Sequence, residues 1–257
     1  MTIYCYHSVD PGWRSPLAVS PAEFDAQCEW IASHTRVLPL EDAVSALDRA
    51  GRLPAGAAAI TFDDGYAGCY GHAFPILRAR RLPSTIFLVA ETLTPAGRAI
   101  DWAGVDTPAT GTLSADQVRE MADAGVSFGS HSFSHHDLTT LSEAECERDL
   151  RASRDVLEDV LRRPVPLLAY PGGKHNDVVR RAAARAGFTH GFTLPDRREP
   201  RGPLSIPRVG VYPGNGPLAL RVKTARWYLD ARANPVFPAL RNAARRLTRT
   251  GLRRARP

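Results

Sequence analysis

Short runs rich in β-branched, aromatic and small apolar residues alternate along this chain with longer stretches in which apolar residues recur every three or four positions. The short runs predict strands at Ile3–His7, Ala58–Phe62, Thr85–Val89, Val126–Gly129, Pro166–Ala169, His190–Thr193 and Arg208–Tyr212. The longer periodic stretches predict helices at Pro21–Ser33, Leu40–Ala50, Cys69–Arg80, Ser114–Ala124, Ser142–Leu161 and Asp177–Ala186. Ser142 followed by Glu145 has the form of a capping box, which fixes where the longest helix starts. Strand and helix in strict turn imply parallel strands joined by crossover helices, in an α/β fold that is either a doubly wound sheet or a barrel.

In parallel α/β folds ligands collect at the carboxyl ends of the strands. Those ends carry His7, then Asp63 and Asp64, then His131 and His135, then the turn Tyr170–Gly173. Adjacent carboxylates at Asp63 and Asp64 repel unless a cation or proton lies between them, and neighbouring side chains point apart, so the two can take separate roles. An ordinary Asp-Asp-Gly turn is the plainer alternative. His131 and His135, four residues apart, are expected to face one way on a helical turn and offer two imidazoles to a metal. His136 competes with His135 for that position, and a solvated polar turn is the alternative to both.

Taken together, Thr61-Phe62-Asp63-Asp64-Gly65 and His131-Ser132-Phe133-Ser134-His135 resemble the two signature motifs of the polysaccharide deacetylase family, the NodB-homology or carbohydrate esterase 4 group. Ser84-Thr85-Ile86-Phe87-Leu88 and Leu167-Leu168-Ala169-Tyr170-Pro171-Gly172-Gly173 are similar to the family as well, and the likeness runs over about residues 1–215. It implies a distorted (β/α) barrel of about seven strands with a catalytic domain over 1–215. It also implies a hydrolase that removes N-acetyl groups from an amino sugar or glycan. Asp64, His131 and His135 would hold a divalent metal, zinc first, with cobalt, nickel or iron as alternatives. Asp63 would be the general base, and the backbone N–H of Gly172 would hold the oxyanion. An O-acetyl esterase on the same site, or an idle glycan-binding protein, are the competing readings.

Two departures from the family pattern change residue assignments. Ala169 stands where many members carry the arginine that orients the base, and Arg208 is the candidate to replace it. The usual C-terminal histidine motif is missing, and no histidine follows His190. Tyr6-His7-Ser8-Val9 looks like that motif moved to the N-terminus, as in a permuted branch of the family, which makes His7 the expected general acid.

Composition adds limits. The 44% hydrophobic and 23% charged content is that of an ordinary globular chain, and 257 residues can bury a core without covalent staples. Cys5, Cys28, Cys69 and Cys146 form no C-x-x-C pair, so free buried thiols are expected. The opening residues run into a strand with no secretory pattern, and no apolar run is long enough to span a membrane, so a cytoplasmic setting is expected. Seven arginines between Arg241 and Arg256, with no acid among them, account for all of the net charge of +6. The body is therefore close to neutral and nucleic acid is not an expected partner. Residues 216–257 are read as a basic helical extension. Phe237, Leu240, Ala244 and Leu247 recur at helical spacing, a pattern that suits peripheral contact with an anionic membrane face.

Overall fold

A computed structural model describes residues 1–98, 100–102, 111–194, 199–225 and 227–234 of the chain. In order the elements are β1 (Thr2–Tyr6), β2 (Ser8–Val9), β3 (Ala18–Val19), α1 (Pro21–His34), β4 (Arg36–Val37), α2 (Leu40–Ala50) and β5 (Ala57–Phe62). They continue with α3 (Phe74–Arg80), β6 (Ser84–Leu88), α4 (Ala115–Asp123), β7 (Ser127–Ser130), α5 (Glu143–Leu161), β8 (Leu167–Ala169) and α6 (Asp177–Arg185). The last are β9 (His190–Thr193), β10 (Ile206–Pro207), β11 (Val209–Gly210), α7 (Pro217–Thr224) and α8 (Tyr228–Arg232).

The main sheet is parallel and runs β10-β9-β8-β7-β6-β5-β1-β11. Its two ends, β10 and β11, are consecutive in sequence and separated by Arg208 alone. The final segment therefore pairs with β9 through its first half and with β1 through its second, which draws the sheet edges together into the expected distorted barrel. The expected strand at Arg208–Tyr212 is in fact this split segment: Arg208 leaves the β11 ladder, and its N–H donates to the Thr193 carbonyl at 2.9 Å.

The strands read as nearly continuous apolar runs because both faces are covered. On β1, β5 and β6 one row (Tyr4, Tyr6, Ile60, Phe62, Ile86, Leu88) packs outward beneath the helices. The alternate row (Ile3, Ala59, Phe87) joins Leu167, Ala169, Phe192 and Ile206 in the barrel interior, with Leu40 and Val44 of α2 in the same cluster. Helix starts follow the chain's capping residues. Ser20 caps α1, and full capping boxes at Ser114/Gln117 and Ser142/Glu145 open α4 and α5.

Some local expectations need correction. The Cys69–Arg80 helix begins as a π-turn over Cys69–Ala73 before α3. Residues 131–135 are not a helical turn but a loop, in which Ser132 and His135 have φ of 66° and 56°. β2, β3 and β4 are two-residue strands, too short to show a periodicity. All four cysteines are free and buried. Of the helical extension expected over 216–257, α7 and α8 are described, and residues 235–257 lie outside the described residues.

Candidate active site

The strand rows dictate what meets at the carboxyl pole. The interior row of β5 is Ala59 and Thr61, and its next member is Asp63, whose N–H still donates to the Tyr6 carbonyl at 3.0 Å. The interior row of β1 is Ile3 and Cys5, and its next member is His7. Each strand thus carries its interior row on into a titratable residue at the carboxyl pole. The chain then turns sharply. Asp64 takes a left-handed φ of 68°, a conformation short polar side chains tolerate, and Gly65 follows at 71°. A methyl group at Gly65 would come within 2.6 Å of the Leu88 side chain, so the turn packs directly on β6.

Asp63 is buried and bound by both arms of Arg208. Nη1 donates to Oδ1 and Nη2 to Oδ2, each at 2.7 Å. Arg208, itself fully buried, also donates to Thr61 Oγ1 at 3.1 Å and lies over the Phe87 ring at 5.2 Å. The Cys5 thiol supplies a third donor to Asp63, 3.3 Å from Oδ2. Burial alone would push the Asp63 carboxyl up, but the Arg208 guanidinium, helped by His131 and His7, outweighs it and holds the group well below the usual carboxylate range. Asp63 is an ionised carboxylate with fixed geometry.

The second cluster is Asp64, His131 and His135, with one donor atom from each within 4.8 Å of the others. His131 follows β7, and its N–H donates to the Leu88 carbonyl at 2.7 Å, extending the β6–β7 ladder. Its Nδ1 lies 2.8 Å from the Ala169 carbonyl; an acceptor there requires Nδ1 to carry the proton, leaving the Nε2 lone pair free. That Nε2 is 3.5 Å from Asp64 Oδ1, and His135 Nε2 is 3.2 Å from the same oxygen. His136 turns away and pairs with Ser134 Oγ at 3.0 Å. Burial lowers the His131 imidazole to about 4, so it is neutral at ordinary pH.

Asp64 Oδ1 is buried without a hydrogen-bond donor, while unprotonated imidazole nitrogen faces it. Lone pairs converging on one point repel unless a cation sits among them, and two imidazoles with one carboxylate suit a divalent ion with open positions. The residues fit such an ion.

His7 joins Cys5 and Asp63 within 4.8 Å, and its Nδ1 is buried without a partner. Gly172 sits at φ 61° on the turn Pro171–Gly173, three residues beyond the Ala169 carbonyl that holds His131.

Sequence reasoning missed several supports. Asp149 of α5 accepts from the Phe133 N–H and from Ser134 Oγ, each at 3.0 Å, and so pins the histidine loop. It falls on the helix face that also carries buried Cys146, Leu150 and Ser153, and an acid on that face was the available signal. Trp102 stacks on His135 with centroids 5.1 Å apart, from a stretch with no periodicity to place it. Cys5 was legible as a free buried thiol on the first strand, but not as a donor to Asp63.

Comparison with known proteins agrees with this fold. The sequence model of the family "Polysaccharide deacetylase" matches residues 50–191, more than half the chain. YxkH of Bacillus subtilis is 26% identical over 217 residues, 83% of this chain and 72% of that protein. The poly-β-1,6-N-acetyl-D-glucosamine N-deacetylase of Staphylococcus epidermidis is 28% identical over 193 residues, 70% of this chain. The match spans 62% of the staphylococcal enzyme, less than two thirds of its length. Among solved structures, the Streptococcus pyogenes deacetylase PplD in complex with acetate superposes with a TM-score of 0.75 at 26% identity, covering 88% of this chain and 98% of that one. IcaB from Ammonifex degensii gives 0.71 at 26%, covering 87% and 97%.

Proposed function

Since the chain belongs to the polysaccharide deacetylase family, we propose that it hydrolyses the N-acetyl group of an amino sugar within a glycan, releasing acetate and a free amine. The observation that carries this reading is the pairing of two unlike clusters at one pole. Asp63 is an ionised carboxylate locked by Arg208, and beside it Asp64, His131 and His135 converge as an N, N, O donor set. The staphylococcal relative named for N-deacetylation of a poly-N-acetylglucosamine supports the amide over other acyl groups.

Asp64, His131 and His135 are assigned to the cation, for which zinc is the first choice. Such an ion, when bound, supplies Lewis acidity toward water and the acyl oxygen. Asp63 accepts the proton of the attacking water, and the bidentate Arg208 keeps its oxygens aimed while leaving them ionised. The Gly172 N–H donates to the acyl oxygen as charge develops there. His7 protonates the leaving nitrogen as the C–N bond breaks, because an amide nitrogen departs poorly as an anion.

The test is acetate release from N-acetylglucosamine oligomers, with O-acetylated sugars assayed in parallel. Asp63→Asn should retain one bound divalent ion per chain but lose at least about a hundredfold in kcat, since an amide cannot take the proton. Preferential release from the O-acetyl sugars would replace this reading with an esterase. Full activity in Asp63→Asn would remove the base assignment.

A further inference from the structure

Parallel strands give the barrel a second pole, at the strand starts, and its surface chemistry differs from that of the catalytic pole. A cavity of about 880 Å³ lies there, bordered by Met1 and Thr2 at the start of β1, Gly56 and Ala57 at the start of β5, and Leu218 and Arg221 of α7. At strand starts of the same pole stand Arg36, beginning β4 against Ala57; Arg49 and Arg52, between α2 and β5; and Arg81, between α3 and β6. These four and Arg221 are exposed, and none has an ion pair among the described residues. Of the acids of the same region, Asp48 pairs with His190 at 3.0 Å and Asp25 and Glu29 with Arg80, while Glu41 and Asp42 of α2 have no ion pair among the described residues.

One exposed apolar side chain, Leu218, borders the cavity itself. The large hydrophobic side chains exposed among the described residues are Leu218, Val222 and Trp227, all within ten positions, and Leu218 is 76% exposed. This segment is anchored from behind by Leu220, which is fully buried, and by Gln27 of α1, whose amide donates to the Asn215 carbonyl at 3.1 Å. Further along the sequence, from Arg241 to Arg256, come seven arginines with no acid among them.

We infer that this pole is a docking surface for an anionic lipid bilayer, with the unpaired arginines meeting headgroups and Leu218 entering the interface. Cations surrounding a few exposed apolar side chains are the composition of a peripheral interfacial contact. No helix among the described residues is long and apolar enough to cross a membrane. Docking at the strand-start pole turns Asp63 and the histidine cluster away from the lipid. The glycan therefore approaches from the aqueous side. This inference is independent of the chemistry proposed for the site.

The experiment is co-sedimentation of the full chain with vesicles of phosphatidylcholine alone and of phosphatidylcholine mixed with phosphatidylglycerol. The chain should partition onto the anionic vesicles only, less so as salt rises. The triple variant Arg36→Glu, Arg52→Glu, Arg221→Glu, with the tail intact, should lose at least about tenfold in partition, and Leu218→Ser should weaken it without any change of charge. Unchanged circular dichroism and thermal melting report that both variants are folded. Undiminished partition of the two variants would place any lipid contact in the tail alone and overturn the inference. So would equal binding to neutral vesicles, or a preference for duplex DNA over the anionic vesicles.

Discussion

At the scale of single residues, the Asp63–Arg208 pair is the point of greatest electrostatic consequence. Both groups are out of water, so each is tolerable only through the other. Arg208→Met should leave a buried carboxylate without its counter-charge. We expect a loss of about 3–5 kcal/mol in denaturant unfolding, together with a fall in kcat as Asp63 drifts toward its protonated form. Arg208→Lys should recover part of the stability but less of the activity, because a point charge cannot grip both oxygens. Equal rescue of both would mean that charge alone matters. This pair was half legible beforehand. The adjacent carboxylates stand out in sequence because like charges at a strand end need an explanation. Arg208 stood out because Ala169 left the base without its usual partner. Nothing in the chain's pattern marks the Cys5 thiol as a donor to Asp63, since that contact depends on two strands being neighbours in register.

Single elements show how a site residue on a loop is held. Residues 131–136 have no regular backbone, yet they carry two of the three converging donors. Their order comes from α5: Asp149 takes up two donors of the loop, and Ser153 pairs with Ser130 at 2.7 Å just ahead of it. Asp149→Ala should leave the Phe133 N–H and the Ser134 hydroxyl unsatisfied, at about 1–3 kcal/mol of stability. It should also weaken metal affinity by about 10–100-fold, the usual effect of losing an outer support. Calorimetric metal titration separates the cases, and unchanged affinity would show that the loop holds itself. Spacing alone misled here. A four-residue interval suits a helix face, but in this loop Ser132 and His135 in left-handed backbone turn both imidazoles to one point instead. The long helices and six of the strands were legible because their burial repeats over several positions. The two-residue strands and the π-turn at Cys69 arise from pairing and packing that no local pattern encodes.

Over the whole molecule, the alternation of strand and helix announced parallel order, but only a seam split at Arg208 closes the ring, and that break places the guanidinium inside the barrel. The two donor clusters then tie separate parts of the ring together, so protons and metal should both act on global stability. For the metal-free chain the sign follows from His131. Its imidazole takes a proton near 6.5 when unfolded but only at about 4 when folded, because of burial. Between those values the unfolded state binds more protons, so stability is full above the window and falls as pH drops through it, by about 3 kcal/mol. Asp63, held below the ordinary carboxylate range, adds a further loss that begins as pH falls through about 4. A divalent ion at about a hundred times its Kd should add about 2.7 kcal/mol near neutrality. That gain should fade on acidification, because the ion needs the imidazoles unprotonated. Thermal melts with zinc and with chelator, from about pH 8 to about pH 4, should therefore start apart and converge on the acid side. A metal-dependent gain in Tm that survives undiminished to the acid end would place the ion on groups other than His131 and His135.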